Sequence, residues 1–460
     1  MAKYPSISIA RAKQDFYKIV KSLLNKDSTS GLQSFLAKTV TGTFGLKIAN
    51  AFLGYIVSLL LARFLGARGY GIYAYALAWV TLLKIPAMLG LSPLIVKNIA
   101  IYQSQNDWGL SRGLLRWTNQ VVLVTSAVLG ILAVFLTKYL IFVPDSETLF
   151  VLWIAMLSLP LIALTNLRQA AMQSFRYILK GQIPEFLFRP IFLIIAFYTI
   201  YIFLDNKLTA IWAMFAYLIA TAISFLIGHF FLYQSTPEKF KSAAPKYQKK
   251  IWLQTALPML FIDGMYMINN QADMIMLGIM QEPSAVGIYT VANRAAGLIS
   301  FVLIAFNTSL APVFASLYAT ENRDKLQKII TKTSRLIFLA ALPIAIGLII
   351  FGNWLLLLFG SEFVAAKTTL TILCLGQLFN AFTGSVAVLL NMTGHHNDTA
   401  IGVGISAVLN IILNTTLIPR FGSTGAAMAT AISAIIWNIL LVFLVYKRLK
   451  IYATVIGKVK

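Results

Sequence analysis

Five ionisable side chains fall inside long apolar runs of this 460-residue chain: Lys47, Lys84, Asp263, Asp273 and Arg294. A charge at the bilayer centre costs roughly 2.5–3.5 kcal/mol on insertion scales, so such residues face a bundle interior or a water-filled cavity. Lys84 sits near the middle of its run, just before Pro86, too deep to reach the headgroups by snorkelling. Two lysines and an arginine suit an anionic headgroup. A diphosphate offers several acceptor oxygens, and a guanidinium meets them as a fork. Lys84, Arg294 and Lys47 are therefore expected to bind substrate in a cationic cavity. Asp263 and Asp273 are expected to serve ion coupling or gating. Asp273 follows Asn269, Asn270 and Gln271, which marks its turn as wet and protein-facing. Nearby tyrosines and asparagines, such as Tyr73, Tyr289 and Asn293, suit a sugar and equally suit helix packing.

The elements that position these residues are membrane helices. The chain is 59% hydrophobic and 12% charged, with a mean hydropathy of +0.79. A soluble domain carries about a quarter charged residues. The runs are continuously apolar, without the alternation of a barrel strand, and only helices or closed barrels satisfy the backbone in lipid. The expected spans are 43–62, 71–96, 117–137, 149–171, 186–204 and 209–233, then 251–280, 286–314, 334–356, 364–391, 399–418 and 424–446. This is an all-α membrane fold of about 12 transmembrane helices.

The net charge of +23 would suggest nucleic acid in a soluble protein. Here 29 of the 38 lysines and arginines fall in alternate loops and in the two ends, which makes both termini cytoplasmic and excludes nucleic acid as a partner. Arg168, Glu185 and Arg189 are assigned to the cytoplasmic interface on this reading. The stretch from Ile9 to Leu24 spaces apolar residues at near-helical intervals among lysines and arginines, as an interfacial helix resting on anionic lipids would. There is no P-loop, no His-Glu-x-x-His and no Gly-x-Ser-x-Gly, so neither a nucleotide-driven pump nor an enzyme is indicated. His395 and His396 belong to a surface loop, and the single cysteine, Cys374, offers no disulfide or metal set. No cofactor and no metal are expected.

The chain also repeats. LARFLGARGYGIYAYA (61–76) returns as LGIMQEPSAVGIYTVA (277–292), so Gly71-Ile72-Tyr73 answers Gly287-Ile288-Tyr289. An even number of helices separates the copies, which gives two parallel six-helix lobes. The expected divisions are a basic segment 1–42, a first lobe 43–233, a cytoplasmic linker 234–250, a second lobe 251–446 and a basic tail 447–460. Lys47 and Asp263 share the repeat offset and should lie at matching depth. They could form an inter-lobe ion pair. Alternatively, Lys47 contacts an anionic substrate while Asp263 binds a proton or Na⁺, or the pairing is structural.

Leu61-Ala62-Arg63-Phe64-Leu65-Gly66 followed by Tyr70-Gly71-Ile72-Tyr73 resembles the end of the first span in polysaccharide-repeat flippases. These are the O-antigen and capsule exporters of the multidrug/oligosaccharidyl-lipid/polysaccharide (MOP) superfamily. The flanking TGTFGLKIANAFLGYIVSLLL and ALAWVTLLKIPAMLGLSPLIVKNIA fit the same family, whereas Ala67-Arg68-Gly69 departs from its more acidic pattern. The resemblance implies a V-shaped, two-lobed, MATE-like fold in the inner (plasma) membrane. It implies a central cationic cavity lined by spans one, two, seven and eight, and a polyprenyl-diphosphate-linked oligosaccharide as substrate. It also makes a polysaccharide polymerase a candidate partner. A MATE-like drug/cation antiporter is the alternative and would want an acidic cavity. A membrane glycan polymerase would want a long external loop. A scaffolding subunit would leave the buried charges unexplained.

Overall fold

The computed structural model describes residues 29–139, 145–203 and 208–457, with the side chains of all but 29–40, 259, 261–263 and 266. The expected interfacial helix at 9–24 and the side chain of Asp263 lie outside the described residues. The expected spans are largely helical where described, but 71–96 is broken by a turn at Leu89-Gly90 and 364–391 by one at Gly384-Ser385. The first half holds α1 (Thr29–Met88), α2 (Leu91–Ser104), α3 (Trp108–Tyr139), α4 (Ser146–Ser174), α5 (Ile178–Phe203) and α6 (Ala210–Ser235). A short α7 (Glu238–Ser242) leads to the second half. That half holds α8 (Lys249–Met280), α9 (Pro283–Ala319), α10 (Arg323–Phe359), α11 (Lys367–Thr383), α12 (Val386–Met392) and α13 (His396–Leu449).

Among the described residues, nine helices are long and apolar enough to cross a membrane. Two of them are far too long for one crossing. At 1.5 Å per residue, a 54-residue helix would extend about 81 Å against a hydrocarbon core of about 30 Å. Each breaks at a glycine in the left-handed region: Gly66 (φ 67°, ψ −179°) in α1 and Gly422 (φ 54°, ψ −130°) in α13. The loop expected at 63–70 is thus reduced to a single-residue break. The outer surface carries apolar side chains such as Val128, Ile131, Phe203 and Trp354, as lipid contact requires.

The interior explains the shape. One hydrophobic cluster joins both halves, with Leu61, Ile72, Leu159 and Met214 packed together with Val286, Ile299, Phe359 and Leu370. Towards the opposite end the core divides into two. Leu94, Ile95, Leu114, Trp117 and Leu167 form one cluster in the first half, and Phe314, Ile330, Leu390 and Leu441 form another in the second. A core shared at one end and split at the other is a V.

The two copies of the repeat meet at the joined end. A Cβ on Gly71 would lie 1.8 Å from the Pro283 carbonyl oxygen, and one on Gly287 would lie 2.2 Å from that of Ala67. The backbones of α1 and α9 therefore touch, as small residues at a four-residue interval permit. Beside this contact the Glu362 carboxylate accepts a 2.6 Å hydrogen bond from the Ala67 amide, at the start of the helix that follows Gly66. Tyr55 packs edge-on against Phe359, and Tyr70 against Phe363, closing this end. Gly71→Ala is expected to force the helices apart and destabilise the protein by about 1–3 kcal/mol, as overpacking does. Thermal unfolding in detergent should show a lower Tm. Gly297→Ala, whose Cβ would meet nothing within 4 Å, should leave it unchanged.

The segment 234–250 is docked rather than free. Arg112 Nη1 donates to the Ala243 carbonyl at 2.6 Å, Lys246 N donates to Gly109 O at 2.9 Å, and Gly109 and Gly113 leave no room for a Cβ against it. Trp252, fully buried, donates from its indole nitrogen to the Tyr102 hydroxyl at 2.9 Å. The start of α8 is thereby anchored to the first half.

Candidate functional site

Where the core divides, a cavity of about 730 Å³ opens between the halves. Lys84, Ile85 and Met88 enter it from α1, Ser92, Val96 and Lys97 from α2, Asn166, Gln169 and Gln173 from α4, and Leu260, Met267 and Asn270 from α8. The turn that makes this possible has Leu89 (φ 49°) and Gly90 (φ 70°) in the left-handed region, which swings α2 across the end of α1. Lys97, expected in a cytoplasmic loop, thus shares the cavity with Lys84. The α4 residues recur at intervals of three and four, so they form one helix face.

Behind that face lies an ion pair absent from the sequence reading. Arg168 and Glu185 are 3% and 5% exposed and in direct contact, deep in the first half. Their burial and their contact were not anticipated from the sequence. Glu185 sits in a π-helical turn, Pro184–Phe188, within α5. Gly228 of α6 admits the guanidinium, since a Cβ there would lie 1.9 Å from Arg168 Nη1. Gln169 Nε2 donates to the other Glu185 oxygen at 2.8 Å. An apolar run closing on Arg168-Gln169, with a glycine in a later span, was the only signal, and it names no partner.

Arg294 and Lys47 lie elsewhere, on the seam between α1 and α9. Arg294 Nη1 donates to the Gly54 carbonyl at 2.9 Å, and Phe44 stacks on Phe301 further along the seam. Lys47 is exposed two helical turns from Gly54 on the same side of α1. Neither residue lines the cavity that holds Lys84. Lys47 makes no ion pair among the described residues.

Asp273 is 4% exposed and enclosed by the second half. Oδ1 accepts from Asn414 Nδ2 at 2.7 Å and Asn410 Nδ2 at 3.1 Å, and Oδ2 accepts from Thr430 Oγ1 at 2.5 Å and Tyr289 Oη at 2.6 Å. Asp273 itself faces the protein interior, while Asn270 on the preceding turn is exposed and lines the cavity. The enclosing side chains come from α9 and both parts of α13. All four donors are neutral, and Asn414 Oδ1 is buried with no partner.

Two apolar-core lobes joined at one end, with a polar cavity between them at the other, define a multi-pass membrane protein with the MOP superfamily fold. A family model described as polysaccharide biosynthesis protein matches residues 36–318, more than half of the chain, and the chain belongs to that family. A second model, MatE, matches residues 258–416. The chain is 35% identical over 174 residues to the probable flippase AglR of Haloferax volcanii, covering 37% of this chain and 36% of that protein. It is 24% identical over 454 residues to the lipid II flippase MurJ of Bacillus subtilis, covering 90% and 83%. The match spans about a third of AglR's length and about a third to a half of two other relatives. Among solved structures, a lipid II flippase MurJ in an inward closed conformation superposes with a TM-score of 0.68 at 17% identity, over 88% of this chain and 87% of that one.

Proposed function

We propose that this protein is a flippase that carries a polyprenyl-diphosphate-linked oligosaccharide from the cytoplasmic to the outer leaflet by alternating access. The observation that supports this most is the cavity between the halves, with Lys84 and Lys97 on its wall and a seal of Gly71, Gly287 and Glu362 at the far end. Two ammonium groups match a diphosphate, and the amides around them match a glycan. The sealed end is the outer one and both termini are cytoplasmic, in keeping with the distribution of lysines and arginines. Lys47 and Arg294 meet the substrate along the α1–α9 seam. The divisions at 43–233 and 251–446 are the two rocking lobes. The protein works in the inner (plasma) membrane, its basic N-terminal segment resting on anionic lipids, and it hands its product to a polysaccharide polymerase. A drug/cation antiporter is less well supported, because the charged side chains on the cavity wall are lysines.

With no nucleotide motif, the energy comes from a gradient or from consumption of the product. Asp273 is the coupling residue in this reading: Tyr289, Thr430, Asn410 and Asn414 surround a carboxylate that no cation neutralises among the described residues. Turning the two asparagine amides would aim oxygens at the same point, which suits a proton or Na⁺. Asp263 is the second acidic candidate.

Deleting the gene and identifying the lipid-linked glycan that accumulates on the cytoplasmic leaflet tests the assignment. A cell with no such accumulation argues against it. Orientation is tested separately. In a Cys374→Ser background, Ser242→Cys should react with an impermeant thiol reagent only after the membrane is opened. Labelling from outside intact cells reverses the assigned topology.

A further inference from the structure

We propose that α4 presents a wall of hydrogen-bond acceptors that reads the donor hydrogens of the sugar next to the diphosphate. The wall thereby selects the glycosylated carrier over the bare one. This rests on the lipid-carrier reading of the cavity and adds a specificity element to it. Asn166 and Gln169 lie on the same face of α4 and line the cavity. Each amide is held by its nitrogen: Asn166 Nδ2 donates to the Ile162 carbonyl at 2.7 Å, and Gln169 Nε2 donates to Glu185 Oε2 at 2.8 Å. A carbonyl and an Arg168-paired carboxylate can only accept, so neither amide can be turned over without losing its bond. Each amide thereby keeps its oxygen, Asn166 Oδ1 or Gln169 Oε1, as a fixed acceptor beside one remaining N–H.

The chemistry of the two walls then differs. Lys84 and Lys97 donate and suit phosphate oxygens. The α4 oxygens accept, and they suit sugar hydroxyls or an acetamido N–H. A deprotonated phosphate offers these oxygens no donor, so a carrier without sugar leaves both acceptors unmatched. Specificity through an unfavourable contact with the wrong ligand is a general device. Arg168 and Glu185 act here as positioning residues, since they hold Gln169 and touch no substrate.

The test uses the full chain in detergent and two probes, undecaprenyl diphosphate carrying one N-acetylglucosamine and bare undecaprenyl diphosphate. The wild-type protein should bind the glycosylated probe about tenfold more tightly, as two net hydrogen bonds allow. Asn166→Leu with Gln169→Met should bring the two affinities to within about twofold through loss on the glycosylated probe. If the double variant binds neither probe, Gln169→Met alone is the variant scored, with a loss of about threefold expected on the glycosylated probe only. An unchanged ratio in the scored variant overturns the acceptor wall, as does equal binding of both probes by the wild type. Failure of the wild type to bind either probe overturns the lipid-carrier reading itself, which keeps the two failures apart.

Discussion

Lys84→Ala is expected to abolish export while leaving the protein folded in the membrane. Lys84 stands on the cavity wall between the halves beside apolar Ile85, Met88, Val96 and Leu260, where the lower local dielectric strengthens a charge-assisted hydrogen bond. Hydrogen bonds to charged groups contribute roughly 1.5–3 kcal/mol each, so one lost contact to a diphosphate oxygen lowers affinity about 10- to 150-fold. Removing the ammonium from a cavity lining creates no buried hole, so stability should change little. Lys84→Arg retains the charge with a different reach and should restore part of the activity. Arg294→Ala should be equally silent in export for a different reason. It loses its anchor on Gly54 and with it a cation on the seam where the two lobes touch. Surface polysaccharide measured in a deletion strain carrying each variant checks both. Near-normal amounts in the two variants contradict the headgroup role.

Asp273→Asn is expected to remove the response of transport to an imposed ion gradient. The carboxylate accepts four hydrogen bonds from neutral donors in a site closed to solvent. An asparagine of nearly equal volume keeps one acceptor, and Tyr289 and Thr430 can turn their hydroxyls to accept from its nitrogen, so the helices should stay packed. The site would lose its negative charge and its ability to take up a proton. Asp273→Ala should be worse for a different reason. It strands buried donors at about 1–3 kcal/mol each and should lower the yield of folded protein. Translocation in proteoliposomes under imposed proton or sodium gradients separates the effects. If Asp273→Asn and Asp263→Asn both respond to the gradient as the wild type does, neither residue couples transport to an ion.

The helices and their order were legible because each is written locally, as an unbroken apolar run. The Gly71 and Gly287 copies were legible as a repeat, though not as two backbones in contact, because contact depends on a crossing that no single run describes. The loop expected around Arg68 shrank to Gly66, since one residue with positive φ can turn the chain where several polar residues looked necessary. Lys97 was missed because a helix end and a loop look alike in charge, and the turn at Leu89-Gly90 decides which way α2 runs. The contact of Arg168 with Glu185 was not legible either, since the room for it comes from Gly228 and a π-turn in other segments. The setting of Asp273 was the least legible. Its partners Asn410, Asn414 and Thr430 stand 137, 141 and 157 residues away, each an ordinary polar residue in its own run.

The most direct measurement of the central claim is translocation by the purified protein alone. Proteoliposomes would carry a fluorescent undecaprenyl-diphosphate-linked sugar in one leaflet, with its arrival in the other followed by an impermeant quencher. The proposed function predicts transfer well above that of protein-free vesicles for the wild-type chain and transfer at the protein-free rate for Lys84→Ala. Equal rates in wild-type and protein-free vesicles, or undiminished transfer by Lys84→Ala, would contradict it.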